Sequence, residues 1–167
     1  MNKGTKKWIW AAFAVYCVTM GWLLFVQRLG DAWPADYWAE VQTHINLTPL
    51  GTVRHLARLI RYSDSPSLIR FAWVNLAGNV LMFVPLGVFL PWLWPALRKW
   101  WRFGLCLVGV IVAIETTQLV MLLGVCDVDD LILNTAGGLV GFAAFHIGWR
   151  LYRRGGETDE DTGGGSQ

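Results

Sequence analysis

Four carboxylates lie where a chain this apolar has little room for them. Glu115 and Gln118 interrupt a run, 103–123, that is otherwise built to live in lipid. Asp127, Asp129 and Asp130 crowd the short gap before the next apolar run, and Asn134 follows within its first turn. A carboxylate at such depth is costly unless it is paired, wet or neutral. Three kinds of chemistry fit these residue types. A carboxyl can hold a cation or an arginine, it can keep its proton at neutral pH and act as acid or base, or several can offer hard oxygen ligands to a divalent ion. Asn75 and Asn79 are four apart, hence on one helical face, and add amide donors and acceptors. Arg54 and Arg58, with Arg61, form a stripe of guanidinium groups of the kind that grips phosphate bidentately.

The elements that must position these groups are set by composition. A length of 167 residues fits one domain, and 54% hydrophobic residues with 11 Trp point to membrane rather than to a soluble core. Cys17 and Cys106 fall within apolar runs and read as small hydrophobes, while Cys126 is the lone thiol of the gap, so neither a disulfide framework nor a CxxC metal pattern is present. His44, His55 and His146 show no ligand spacing, and neither a metal nor a cofactor is expected. Basic residues are scattered over the flanks of apolar runs instead of gathered on one face, which argues against nucleic acid.

Four runs are long enough to cross a hydrocarbon core of about 30 Å, at about 8–26, 71–93, 103–123 and 131–149. The fold class expected is an all-α integral membrane bundle: residues 1–7 before it, one membrane domain over 8–154, and a Gly-rich, acidic, disordered tail over 155–167. The first run is too long and too rich in Trp for a cleaved signal peptide, so it reads as a retained span. Between the first two spans, 50–62 has helical period, with Leu50, Val53, Ala57 and Ile60 on one side and the arginines beside them. It predicts an amphipathic helix that lies in the interface or re-enters the membrane, ended by Ser63-Asp64-Ser65-Pro66. Pro91 and Pro95 are expected to end the second span, and Gly137 and Gly141 to let two helices approach closely.

Four spans put both termini on one side. That side carries nine Lys/Arg against five in the long loop, so both termini are expected in the cytoplasm of a multi-pass cell-membrane protein. Asn75 and Asn79 then lie in the outer half of the second span. Glu115 lies about 12 Å below the outer end of the third at 1.5 Å per residue, and Asp127, Asp130 and Asn134 form a stripe at the start of the fourth. All converge on one outward-facing level beneath the arginine loop.

Four ordered segments carry a resemblance: Asn46-Leu47-Thr48-Pro49-Leu50, then Asn75-Leu76-Ala77-Gly78-Asn79 continuing to Pro85-Leu86-Gly87, then Glu115-Thr116-Thr117-Gln118, then Asp127-Val128-Asp129-Asp130-Leu131-Ile132-Leu133-Asn134. Together they resemble the VanZ-like family over about 46–149, leaving the first span outside. The resemblance implies a small bacterial membrane protein, and the founding member is associated with low-level resistance to the glycopeptide teicoplanin. Asn75, Asn79, Glu115, Gln118, Asp127, Asp130 and Asn134 match the family's polar positions, and Asn46 belongs to its first motif. Gly124-Val125-Cys126 departs from it, since members often carry a basic residue just before the first Asp. If that residue pairs with the acidic cluster, Arg54 or Arg58 is expected to do so here.

Each group also has a structural explanation. Asp residues at a helix start serve as caps in a favourable dipole, and Asn75 and Asn79 could simply cross-link helices. Three functions therefore stand side by side. The first is a binder or modifier of an amphipathic cell-envelope lipid, or of a lipid-anchored glycopeptide. The second is an intramembrane enzyme using Glu115, Asp127 and Asp130. The third is a scaffold in which Arg–Asp pairs staple the loop onto the bundle.

Overall fold

A long apolar run with few helix breakers has one way to satisfy its backbone away from water, the intrahelical ladder. The computed structural model describes residues 3–28 and 35–162, with side chains from Gly4 and as far as Arg153. Helix α1 (Lys3–Leu24) and a short 3-10 turn (Val26–Arg28) open it. On the loop that follows stand α2 (Tyr37–Thr43), the two-residue strand β1 (Ile45–Asn46) and α3 (Gly51–Tyr62). Then come α4 (Pro66–Leu93), a 3-10 turn (Pro95–Arg98), α5 (Trp100–Val120), strand β2 (Cys126–Asp127) and α6 (Val128–Thr162). Of the described helices, α1, α4, α5 and α6 are long and apolar enough to cross a membrane.

Helices α4 and α6 form the spine and run parallel. A Cβ on Gly137 would fall 2.0 Å from the Val80 carbonyl oxygen, and one on Gly141 2.0 Å from that of Val84. On the α4 side, a Cβ on Gly87 would fall 2.1 Å from the Gly138 oxygen. Only hydrogen fits at these points, so small residues set the helix separation, as expected where lipid offers no hydrophobic drive for association. Helix α5 covers the spine: Leu107 fills the space over Gly138, and Phe103 stacks on Phe142 with ring centres 4.2 Å apart. Helix α1 runs antiparallel to α4, tied by the Tyr16 hydroxyl, which donates to the Met82 carbonyl at 2.8 Å, and by the Trp10–Trp94 edge contact. Met20, Leu24, Phe83, Leu86, Phe103, Leu107 and Ile111 make the common core.

Several boundaries differ from expectation. The second span starts at Pro66 because proline is at home in a first helical turn, where its N–H has no partner to lose. Pro91 does not end that helix, which runs to Leu93; only the carbonyl four residues back, on Gly87, loses its N–H. The third span is shifted toward its start, Trp100–Val120, and the last helix begins at Val128 and continues to Thr162, so part of the stretch expected to be disordered is helical. Residues 163–167 of that tail lie outside the described residues. In α3 the buried face is centred on Leu56, with Val53 and Ile60 half-buried, whereas Ala57 is exposed. The larger side chain takes the place facing the bundle.

Candidate functional site

The loop is fastened to the bundle through a parallel bridge in which Ile45 pairs with Cys126 and Asn46 with Asp127. The Cys126 N–H donates to the His44 carbonyl at 2.8 Å. This places Asn46 beside the start of α6, and the carboxylates there are satisfied by short-range donors. Asp127 caps α6, its Oδ1 accepting the Asp129 N–H at 2.9 Å, the geometry of an N-cap bonded to the second helical residue. Its Oδ2 accepts from the Asn46 amide at 3.0 Å and from the Thr52 hydroxyl at 2.5 Å. Asp127 therefore precedes the helix in β2 instead of sharing a helical stripe with Asp130 and Asn134.

Asp129 is fully buried, at 0% exposure. Its two oxygens accept the N–H groups of Leu50 at 2.5 Å and Val53 at 2.9 Å, at the N-terminus of α3. A helix start leaves four N–H groups without intrahelical acceptors and carries partial positive charge, so a carboxylate there needs no arginine. Asp130 is half-buried and accepts from the Asn79 amide, joining α6 to α4.

Arg54 and Arg58 do not pair with this cluster. Both are exposed, and among the described residues neither forms an ion pair; the salt bridge found there is His44–Glu40 at 3.7 Å. The expected Arg–Asp staple is replaced by Asn46, Thr52 and two backbone N–H groups. Thr52 is a site residue that the sequence reading leaves out, and Asp129 enters that reading only as a member of the acidic cluster. The signal for Asp129 was a third carboxylate beyond what a single cap needs, and for Thr52 a hydroxyl inside the loop helix.

Below this layer, α5 presents one buried stripe: Phe103, Leu107, Ile111, Glu115 and Gln118. The stripe turns from apolar to polar at Glu115. Gln118 donates to the Leu24 carbonyl at 3.0 Å, covering one of the last carbonyls of α1. Burial pushes the Cys126 thiol above its ordinary value of 9.0, and the negative charges of Glu115, Asp127 and Asp130 push it further. Asn134 is buried, at 4% exposure, and its Oδ1 has no hydrogen-bond partner among the described residues. Asn75 turns back on its own helix, donating to the Phe71 carbonyl at 2.8 Å. It still lines, with Asn79, a cavity of about 410 Å³ closed on the other side by Leu23, Leu24 and Gln27. Among the described residues no three acidic, His or Cys side chains converge closely enough to hold a metal ion.

The same segments that build this geometry decide the family. A model of the VanZ/LLP1 family matches residues 13–149. The chain belongs to the VanZ/LLP1 family. The match starts inside α1, so the first span is part of the family domain and not an addition to it. That agrees with the way α1 closes the cavity beside Asn79 and receives Gln118. No curated protein and no solved structure matches the chain. As a VanZ/LLP1 member it is a multi-pass membrane protein with four apolar helices in contact with lipid.

Proposed function

We propose that the loop end of the bundle binds the polar headgroup of an amphipathic cell-envelope lipid or lipid-anchored glycopeptide, and that the protein thereby gives low-level resistance to glycopeptides such as teicoplanin. On this reading both termini are cytoplasmic and the loop end faces outward. The observation that carries it is the division of labour around the acidic cluster. Asp127 and Asp129 are satisfied by uncharged donors, which leaves Arg54 and Arg58 exposed and uncommitted at the same end of the molecule. Two such guanidinium groups on one amphipathic helix suit a phosphate at headgroup height.

The polar groups beneath suit the rest of the headgroup. Glu115, Gln118, Asn79, Asp130 and Asn134 bring both donors and acceptors, and the cavity beside Asn75 and Asn79 lies between two membrane-spanning helices, a route by which an amphiphile can enter sideways from the bilayer. A scaffold stapled by Arg–Asp pairs is less well supported, because the loop docks without its arginines.

The test is mass spectrometry of lipids retained by the purified full-length protein, beside the teicoplanin sensitivity of a susceptible host expressing it. The variant Arg54→Gln/Arg58→Gln should keep its fold and lose both the retained amphiphile and the protection. Equal retention and equal protection in that variant would sink the proposal.

A further inference from the structure

The opposite end of the bundle, which carries the termini, holds a second cluster with different chemistry. The 3-10 turn before α5 and the outer face of α6 enclose a cavity of about 440 Å³ lined by Arg98, Lys99, Trp100, Trp101, His146 and Arg150. His146 and Arg150 are four apart and so share one face of α6, while Arg98 to Trp101 run consecutively from the end of the turn into the start of α5. All described carboxylate side chains lie at the loop end or on the loop-end half of the spans, so none offsets these three positive charges locally.

Arg98 is held in place before any ligand arrives. Its Nε–H donates to the Pro91 carbonyl at 3.2 Å, and its guanidinium carbon sits 4.3 Å from the centre of the Trp149 ring. One nitrogen and one face of the group are thereby occupied, and among the described residues its terminal nitrogens form no ion pair or hydrogen bond. Helix α5 starts at Trp100 with no acidic residue in its first turn and no side-chain cap, so its first N–H groups add partial positive charge. Lys99 and Arg150 are exposed and form no ion pair among the described residues. Trp100 and Trp101, both exposed, are amphipathic rings of the kind that sit at headgroup level, and exposed Leu105 continues the Trp101 side of α5 toward the apolar zone.

We infer that this pocket binds the phosphate of an anionic phospholipid from the leaflet at the termini end, with Arg98, Lys99 and Arg150 around the phosphate and an acyl chain running past Trp101 and Leu105. Basic pockets between membrane helices take such headgroups, and a preset guanidinium lowers the cost of ordering on binding. The site is separate from the loop end and does not depend on the function proposed for it.

Native mass spectrometry of the full-length protein in detergent, titrated with phosphatidylglycerol or phosphatidylcholine, tests this. The wild type should take up the anionic lipid with at least about tenfold preference, since both headgroups bring a phosphate but the choline ammonium of the second is repelled by the three basic side chains. Lys99→Gln/Arg150→Gln changes two exposed side chains, should unfold at the wild-type temperature without lipid, and should bring the preference close to unity. Arg54→Gln/Arg58→Gln should retain a preference that Lys99→Gln/Arg150→Gln then removes when combined with it. An undiminished preference in Lys99→Gln/Arg150→Gln overturns the inference. So does abolition of lipid uptake by millimolar inorganic phosphate, which would make the pocket a site for free phosphate.

Discussion

Asp129 and Val53 are joined at 2.9 Å across 76 positions of sequence, and through that bond the last spanning helix caps the helix of the loop. The second oxygen of the same carboxylate holds the N–H of Leu50, which has a φ of 59° and so adopts a left-handed backbone without being glycine. That conformation costs an L-residue about 1–2 kcal/mol. The carboxylate stabilises it and ends the loop at a fixed height over α4 and α6.

Asp129→Ala removes both bonds and leaves two helix N–H groups without acceptors. We expect a loss of about 3 kcal/mol of stability, since hydrogen bonds to charged groups contribute about 1.5–3 kcal/mol each and part is regained when the empty site takes up water. Hydrogen exchange should quicken first across Gly51–Tyr62, while protection of α4 and α6 persists. Arg54→Ala, at an exposed side chain, should change stability by no more than about 0.5 kcal/mol. Equal effects of the two substitutions would show that α3 is held by its arginines after all.

That polar residues of several spans meet at one end of the bundle was legible in the sequence, and their wiring was not. Hydropathy located four spans, and polar residues inside them marked one end, because few causes put Glu115 or Asn134 in an apolar run. The partner of Asp129 lies in another element, and a backbone N–H leaves no trace in residue type. The expected Arg54 or Arg58 partnership rested on the basic residue that similar proteins carry before the first Asp, whereas the fold satisfies the carboxylates with a helix start, Asn46 and Thr52. Likewise the stripe predicted for α3 was placed one position away from Leu56, since period gives the width of a face and docking chooses its centre. The glycines of α6 were legible as packing residues because membrane helices have few other means of close approach.

That close approach carries its own prediction. A Cβ on Gly141 would meet the Val84 oxygen at 2.0 Å and the Gly87 Cα at 2.9 Å, both backbone atoms that cannot turn aside. Gly141→Ala must separate α4 from α6 and should cost about 2 kcal/mol or more, within the range for overpacking. Gly104→Ala and Gly148→Ala, where nothing stands within 4 Å, should be neutral or should gain some of the helix propensity that alanine adds. Thermal unfolding in detergent distinguishes them. A similar midpoint for all three would show that the spine is not set by glycine contact.

The thiol of Cys126 reports on the carboxylates from outside the spans. Because its proton is held above the ordinary 9.0 by burial and by Glu115, Asp127 and Asp130, the folded chain ionises it later than the unfolded chain does. The sign follows: its contribution to stability falls as pH rises through the ordinary thiol range, where only the unfolded state gains by losing the proton. In a Cys17→Ala/Cys106→Ala background, maleimide labelling of Cys126 at pH 8 should be slower than that of a free thiol. Adding Glu115→Gln should speed it, since one of the charges is gone. A rate indifferent to Glu115 would mean that this carboxyl is uncharged or turned away from the thiol.

Asn134 separates a functional reading of the polar layer from a structural one. Its side chain is buried, and an acceptor left without a partner costs about 1–3 kcal/mol, so a protein selected only for stability gains nothing by keeping it. Leucine has a similar shape and no polar atom. Asn134→Leu should therefore leave the unfolding temperature unchanged or raise it. If the layer receives a headgroup, the same substitution removes an acceptor waiting for a donor, and the amphiphile retained by the wild type should fall by about tenfold, the value of one well-placed hydrogen bond in a dry site. Higher stability with lost retention is the signature of a binding residue. Lower stability with retained ligand would assign Asn134 to the fold alone.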